Sequence, residues 1–367
     1  MRNRKAASNL KIRPIKETDN RQLISLARSI GVPARVKLGV DRAPIFWAFS
    51  EMQSKTWDIL VAEDGNEIVG FIDLSHRKFR LSKVVKQVTY VGLTGVHTGW
   101  RGSEVFPRLL RASERLARKR GSECAIALVN VNNMRFNKLL RFIYKDSICC
   151  ENLRVSCVLL GPRYRRNKNV RVERATQEDM QMIMDLMMRY YCRYQLAPIL
   201  DRKHFTDLFN SQLLDLLVVR DDKKKIVATM GLWDQSHMRR IIVLDYAPPM
   251  LWIKRLINGS RYFTRIARVP DPGSHFEYFY SVFAAFEEGF ENSFCEILRF
   301  VCNKYADRNY NFLILAIPES SKVMKTCSDL WIISNNNVPV VIPLTNDMVT
   351  FLKEIGSCSL YLEYALS

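Results

Sequence analysis

The stretch TGVHTGWRGSEVF, residues 94–106, carries the residue types that hold an anion at the start of a helix. Free backbone N–H groups at a helix N-terminus converge on one spot, and the helix dipole adds partial positive charge there. A pyrophosphate satisfies such donors, and glycines let it come close to the backbone. Arg101 adds a charged donor beside Gly102. Two residues run against the pattern. Glu104 puts a carboxylate near the place of the anion, where it either competes with the ligand or points into solvent and leaves its backbone N–H available. Phe106 stands where a glycine would suit, although its ring can turn into a core. An ordinary strand-to-helix turn accounts for the same residues, so the flanking elements must decide.

Those elements are legible. DILVAEDGNEIVGFIDL, from Asp58, reads as a hairpin about an Asp64–Gly65 turn. VTYVGLTGV runs into the loop as a strand, EVFPRLLRASERLARKRG leaves it as a helix, and ECAIALVNV follows as a second strand. Strand, crossover helix and strand make a parallel pair. Along the helix Arg108, Arg111, Arg115 and Arg118 share one face, opposite Leu109, Leu110, Ala112, Leu116 and Ala117. Such a basic stripe suits plain solvent, a further cofactor phosphate or an acidic carrier protein.

The same order recurs. KIRPIKETDNRQLISLARSI from Lys11 and VRVERATQEDMQMIMDLMMRY from Val170 both pass from an extended stretch into a helix, with Asp19 and Asp179 in equivalent places. LLVVRDDKKKIVATMGLW, FEYFYSVFAAF, SFCEILRFVCNKYADRN and YNFLILAI repeat the hairpin, strand, helix and strand. The polar, basic GPRYRRNKNV between the copies suggests domains of 1–165 and 166–367. In the second copy the loop reads FAAFEEGFENSF. It has no arginine, and Glu287, Glu288 and Glu291 would repel a pyrophosphate. Its insertion APPMLWIKRLINGSRYFTRIARVPDPG is expected to line an acceptor cavity or to pack the copies together. Asp234, at a strand end, is expected to serve as a structural hydrogen-bonding residue, and SCSLYLEYALS is expected to close the sheet as a strand.

Val96, Trp100, Arg101 and Gly102 resemble, at the right spacing, the V-x-P-x-Y-R-G-K-G-x-G signature of the GCN5-related N-acetyltransferase (GNAT) superfamily. VNVNNMRFNKLLRFIYKD is similar to its N-x-x-A-x-x-L-Y element, with Asn133 as the asparagine. The resemblance implies an α/β fold with a mixed sheet, built as two tandem GNAT-like acyltransferase domains, the second degenerate. It implies acetyl-CoA or another acyl-CoA as cofactor. The cofactor-binding residues would be Val96, Trp100, Arg101, Gly102, Ser103, Glu104, Val105, Phe106, Arg108 and Asn133. It also implies transfer of an acyl group to a primary amine of a small molecule or protein. The family's base takes a proton from the amine, and a tyrosine in the L-Y position protonates the leaving thiolate. Leu140 occupies that position here; Tyr144, one turn on, is either a substitute acid or a buried structural tyrosine. Asp73 and His76 are the candidate bases. A non-catalytic acyl-CoA- or carrier-binding protein on a degenerate scaffold is the alternative.

Composition bounds these readings. The chain has 367 residues, 48% of them hydrophobic, enough for two ordinary cores. A formal charge of +19 points to anionic partners. No nucleic-acid recognition motif accompanies it, so nucleic acid is not expected. No apolar run has the length of a transmembrane segment, and MRNRKAASNLKIRP lacks the apolar stretch of a secretory signal. Nine cysteines, without metal-ligand spacing, read as reduced core thiols, and hence as a cytoplasmic protein without a metal site.

Overall fold

Two copies of one mixed α/β unit share a single sheet in the computed structural model, which describes residues 9–31, 34–81, 84–197, 199, 202–210, 214–306, 308–355 and 360–366. The first copy runs β1 (Leu10–Pro14), α1 (Asn20–Ser29), β2 (Val36–Asp41), α2 (Ala48–Gln53), β3 (Trp57–Asp64) and β4 (Glu67–Leu81). It continues with β5 (Val84–Val96), α3 (Val105–Lys119), β6 (Cys124–Asn130), α4 (Met134–Ile143), β7 (Ile148–Cys149) and β8 (Leu153–Leu159). The second runs β9 (Val172–Arg174), α5 (Met180–Tyr191), α6 (Arg202–Asn210), β10 (Leu214–Arg220), β11 (Ile226–Trp233), β12 (Arg240–Tyr246) and α7 (Pro248–Thr264). It ends with β13 (Tyr278–Phe286), α8 (Glu291–Tyr305), β14 (Phe312–Pro318), α9 (Val323–Thr326), β15 (Ile332–Pro343) and α10 (Asn346–Ile355).

The repeat holds at the level of single side chains. Asp19 accepts the Lys16 N–H at 2.8 Å and pairs with Arg13 at 2.6 Å; Asp179 accepts the Thr176 N–H at 2.9 Å and pairs with Arg220 at 2.6 Å. Each carboxylate satisfies an orphan donor at the first turn of its helix. Both are held below the usual carboxylate range: burial works against this, but the arginine and backbone bonds outweigh it.

The copies are laced together by exchanged strands. β8, from the first copy, pairs antiparallel with β14, and β15 lies between β6 and β8. The sheet therefore does not break at the polar segment 161–170, and each half completes the other's sheet. A separate ribbon of β2 and β12 adds a second crossing. On one face of the sheet α3 buries Val105, Leu109, Leu110 and Ala117 against Ile72, Leu74, Ala125 and Ala127. Arg111, Arg115 and Arg118 stay on its exposed side, as the periodicity requires. The opposite face carries Phe79, Val88 and Tyr90 into the larger core of the second copy.

Two expectations are corrected by the fold. Cys295 and Cys327 are joined in a disulfide; α8 and the end of α9 hold their Cα atoms 5.7 Å apart, within reach of such a bond. The expectation of reduced thiols throughout fails at this pair. Residues 360–366 do not form a closing strand; they lie across the second copy as described below, while 357–359 and 367 fall outside the described residues. The insertion 247–273 forms α7, whose outer side is exposed. Asp234 has the structural role expected, accepting from the Tyr310 hydroxyl at 2.9 Å and from the Ser236 N–H. Among the described residues no helix is long and apolar enough to cross a membrane, and no cluster of metal-ligating side chains is present.

Candidate functional site

β5 and β6 are parallel neighbours only from Val88↔Cys124 to Val91↔Ala127. Beyond that they diverge. Gly95 and Val96 stay with β4, opposite Phe71 and Gly70, while Leu128 to Asn130 stay with β15, opposite Pro339 to Asn337. Each lip of the split is thus held by its own outer neighbour. A register shift between Ile72 and Leu74 marks a bulge where β5 begins to part. The loop after Val96 and the start of α4 stand at the open end.

The loop is built from its own short-range bonds. His97 Nδ1 accepts the Gly99 N–H at 3.3 Å, and Trp100, 3% exposed, anchors the turn in the core under α3. Ser103 Oγ donates to the Trp100 carbonyl at 2.6 Å and accepts the Val105 N–H at 3.3 Å. Gly102 has φ +83, and nothing lies within 4 Å of where a Cβ would stand. Only glycine takes that conformation without strain, and the space above it is open. The N–H groups of Gly102, Glu104 and Phe106 bond to no described residue. They belong to the donors that the first turn of α3 leaves unpaired. Arg101, exposed beside them, donates to the Gly31 carbonyl at 3.3 Å.

Glu104 does not crowd this spot. Its side chain is 66% exposed and turns along the helix, where Oε2 accepts from Arg108 Nε at 3.1 Å. An ordinary i,i+4 pair removes the competition. Arg108 is committed to that pair and to the Leu10 carbonyl, so it faces β1 and not the open space. Phe106 packs its ring against Phe136 at 5.2 Å, joining α3 to α4. Asn133 caps α4, accepting the Phe136 N–H at 3.4 Å.

The three candidates for acid and base separate. Asp73 lies at the foot of the split: a Cβ on Gly92, the first residue of β5 past the pairing, would sit 3.5 Å from its Oδ2. It is 1% exposed and bound by Arg42 at 2.6 Å and by Ser50 Oγ at 3.0 Å. Neither Arg42 nor Ser50 is visible as a partner in the sequence, because 31 and 23 residues separate them from Asp73. His76 is not at the split. β4 continues past it to Leu81, and three residues along a strand put it on the opposite face from Asp73. There its ring bonds Thr89 Oγ1 at 2.8 Å and Asp58 at 3.1 Å, beside Arg120 at the far end of α3. Tyr144 is also remote. Burial, then the nearby Glu114, pushes its hydroxyl up to about 12. Glu114 lies about 13 Å down α3 from the loop, at 1.5 Å per residue.

The second copy has the same split and fills it. β13 and β14 pair only from Tyr278↔Phe312 to Tyr280↔Ile314. Past that point Phe283, at φ +56, turns its N–H to Glu363 Oε2 at 2.9 Å, and Tyr361 donates to the same oxygen at 3.1 Å. The chain then passes toward the first copy, where the Leu366 carbonyl accepts from Gln53. Glu287, in the degenerate loop, pairs with Arg189 and Lys225.

Burial pushes Glu363 up to about 7 from a usual 4.5. Between those values the folded state holds a proton that the unfolded state has lost. Stability therefore falls as pH rises through this window, by up to about 3 kcal/mol. Glu363→Gln should abolish the fall: urea unfolding at pH 5 and pH 8 should show native and variant diverging in the variant's favour at the higher pH. An equal pH slope in both proteins would contradict the burial argument.

The model of the Acetyltransferase (GNAT) family matches residues 23–142. Two crystal structures of Saccharomyces cerevisiae N-myristoyltransferase with bound myristoyl-CoA share the fold, with TM-scores of 0.62 and 0.63 at 10% and 11% identity. They cover 92% of this chain and 80% and 83% of their own. A GCN5-related glucosamine N-acetyltransferase region of a fungal multi-domain GH3 beta-N-acetylglucosaminidase matches with a TM-score of 0.58 at 13% identity, over 92% of this chain and 38% of that one. No curated protein matches the sequence. The stretch matched by the acetyltransferase (GNAT) family model, residues 23–142, spans α3, the loop before it and both lips of the open split.

Proposed function

We propose that the chain is an acyl-CoA-dependent N-acyltransferase in which the first copy holds the donor. The observation that carries this is the open split beneath a loop whose Gly102, Glu104 and Phe106 N–H groups are unpaired. The pyrophosphate of acetyl-CoA, or of another acyl-CoA, would rest on those donors with Arg101 at its side. Its thioester would lie between Gly92–Val96 and Leu128–Asn130.

Acyl transfer needs an amine nitrogen to attack the thioester carbonyl, loss of a proton from that nitrogen and protonation of the leaving thiolate. Asp73 is the candidate at the foot of the split for the first proton. Arg42 and the single Ser50 hydroxyl proton, shared between both oxygens, leave about two of its roughly four acceptor positions for the amine or an intervening water. Leu140, 2% exposed, offers no acid, so the thiolate proton would come from solvent.

The second copy is the scaffold in this reading: Glu363 and Tyr361 take its split, and three glutamates surround its loop. Calorimetric titration of acetyl-CoA into the full chain should accordingly give one site per chain. Two sites, or none for any acyl length, would overturn it.

A further inference from the structure

Helix α7 turns its apolar side outward. Trp252, Leu256 and Phe263 are 67%, 72% and 92% exposed, and their steps of four and seven residues place them on one stripe. The helix packs by its other side, where Asn258 holds both the N–H and the carbonyl of Val269 and Lys254 bonds Asp271. This is the reverse of an ordinary surface helix, whose apolar stripe faces the core. The charge along it is mainly positive, with Asp245 and Asp271 bounding the segment. From Tyr246 to Pro270 the chain carries Lys254, Arg255, Arg261, Arg265 and Arg268 and no carboxylate. Arg255 lies over the Trp252 ring at 5.3 Å, beside the stripe. The first carboxylate, Asp271, is shared by Lys254 and Arg268.

We propose that α7 docks the protein on an anionic lipid surface. The helix lies in the plane of the interface, with Trp252, Leu256 and Phe263 at the boundary of headgroups and acyl chains. Arg255, beside the stripe, takes a headgroup phosphate, and the other basic residues add long-range attraction. The excess of positive charge favours this occupant over a second copy, since two such helices face to face would bring like charges together. No described helix can cross a bilayer, so the attachment is peripheral. It is independent of which acyl group or amine the split accepts.

Sedimentation of the full chain with phosphatidylcholine vesicles, with and without phosphatidylserine, tests this. The native protein should bind the phosphatidylserine vesicles, and Trp252→Ser/Phe263→Ser should weaken that binding about tenfold or more. Both side chains are exposed, so the variant should keep its melting temperature and its acyl-CoA affinity. Failure of the native protein to bind would overturn the proposal. So would equal binding by the variant, or equal binding to neutral vesicles. A dimer that forms without lipid and is lost in the variant would overturn it in favour of self-association.

Discussion

Gly102→Val is expected to weaken coenzyme A binding about a hundredfold or more, a loss of roughly 3 kcal/mol. Two effects act together. A β-branched residue at φ +83 is strained by about 1–3 kcal/mol, so the loop relaxes and its N–H groups turn away. The added side chain also points into the open space that the pyrophosphate would occupy. The second copy supplies a matched control. Gly289 has φ +84 and likewise nothing within 4 Å of a Cβ, so Gly289→Val imposes the same backbone strain at the degenerate loop. It should leave coenzyme A affinity unchanged. Equal loss in both variants would mean that the effect is global strain and that the loop before α3 is no cradle.

Asp73→Ala is expected to destabilise the protein by about 3–5 kcal/mol, because it strands a buried guanidinium. Arg42 is 3% exposed, lies over Phe46 and Phe49 at 5.3 Å and 5.5 Å, and has this carboxylate as its ion-pair partner. Arg42→Met alone should cost a similar amount by leaving Asp73 unpaired apart from Ser50. Asp73→Ala/Arg42→Met should cost much less than the sum of the two single changes, since the pair is removed together. Urea unfolding of the four proteins measures this coupling. An Asp73→Ala midpoint equal to that of the native protein would show that the carboxylate is not a structural lock. A purely chemical role would then be the better account of its place by Gly92.

The parts of this molecule that were legible in the sequence are those whose signals are local. The Asp64–Gly65 turn, the alternation in VTYVGLTGV and the amphipathic run of α3 each name an element from neighbouring residues. The repetition of that order shows two copies. Strand exchange was not legible, because nothing in IISNNNVPVVIP says that β15 belongs between β6 and β8. The same limit applies at the site. The turn into α3 was readable because glycine, arginine and a helix start lie within a few residues. The orientation of Glu104 was open in the sequence, and its i,i+4 pair with Arg108 decides it. His76 was misplaced because the hairpin strand was taken to end before it; β4 runs on to Leu81, and strand alternation then decides the face. The filling of the second split by Glu363 depends on a contact 80 residues apart, which no local pattern announces.

The central claim is that an amine attacks an acyl-CoA held in the first copy's split. It is tested most directly by following release of free thiol from acyl-CoA donors of increasing chain length, offered with a panel of primary amines. The account predicts thiol release that depends on an amine, persists in Gly289→Val and disappears in Gly102→Val. Thiol release that survives unchanged in Gly102→Val, or that no amine and no donor supports while coenzyme A still binds, would contradict it.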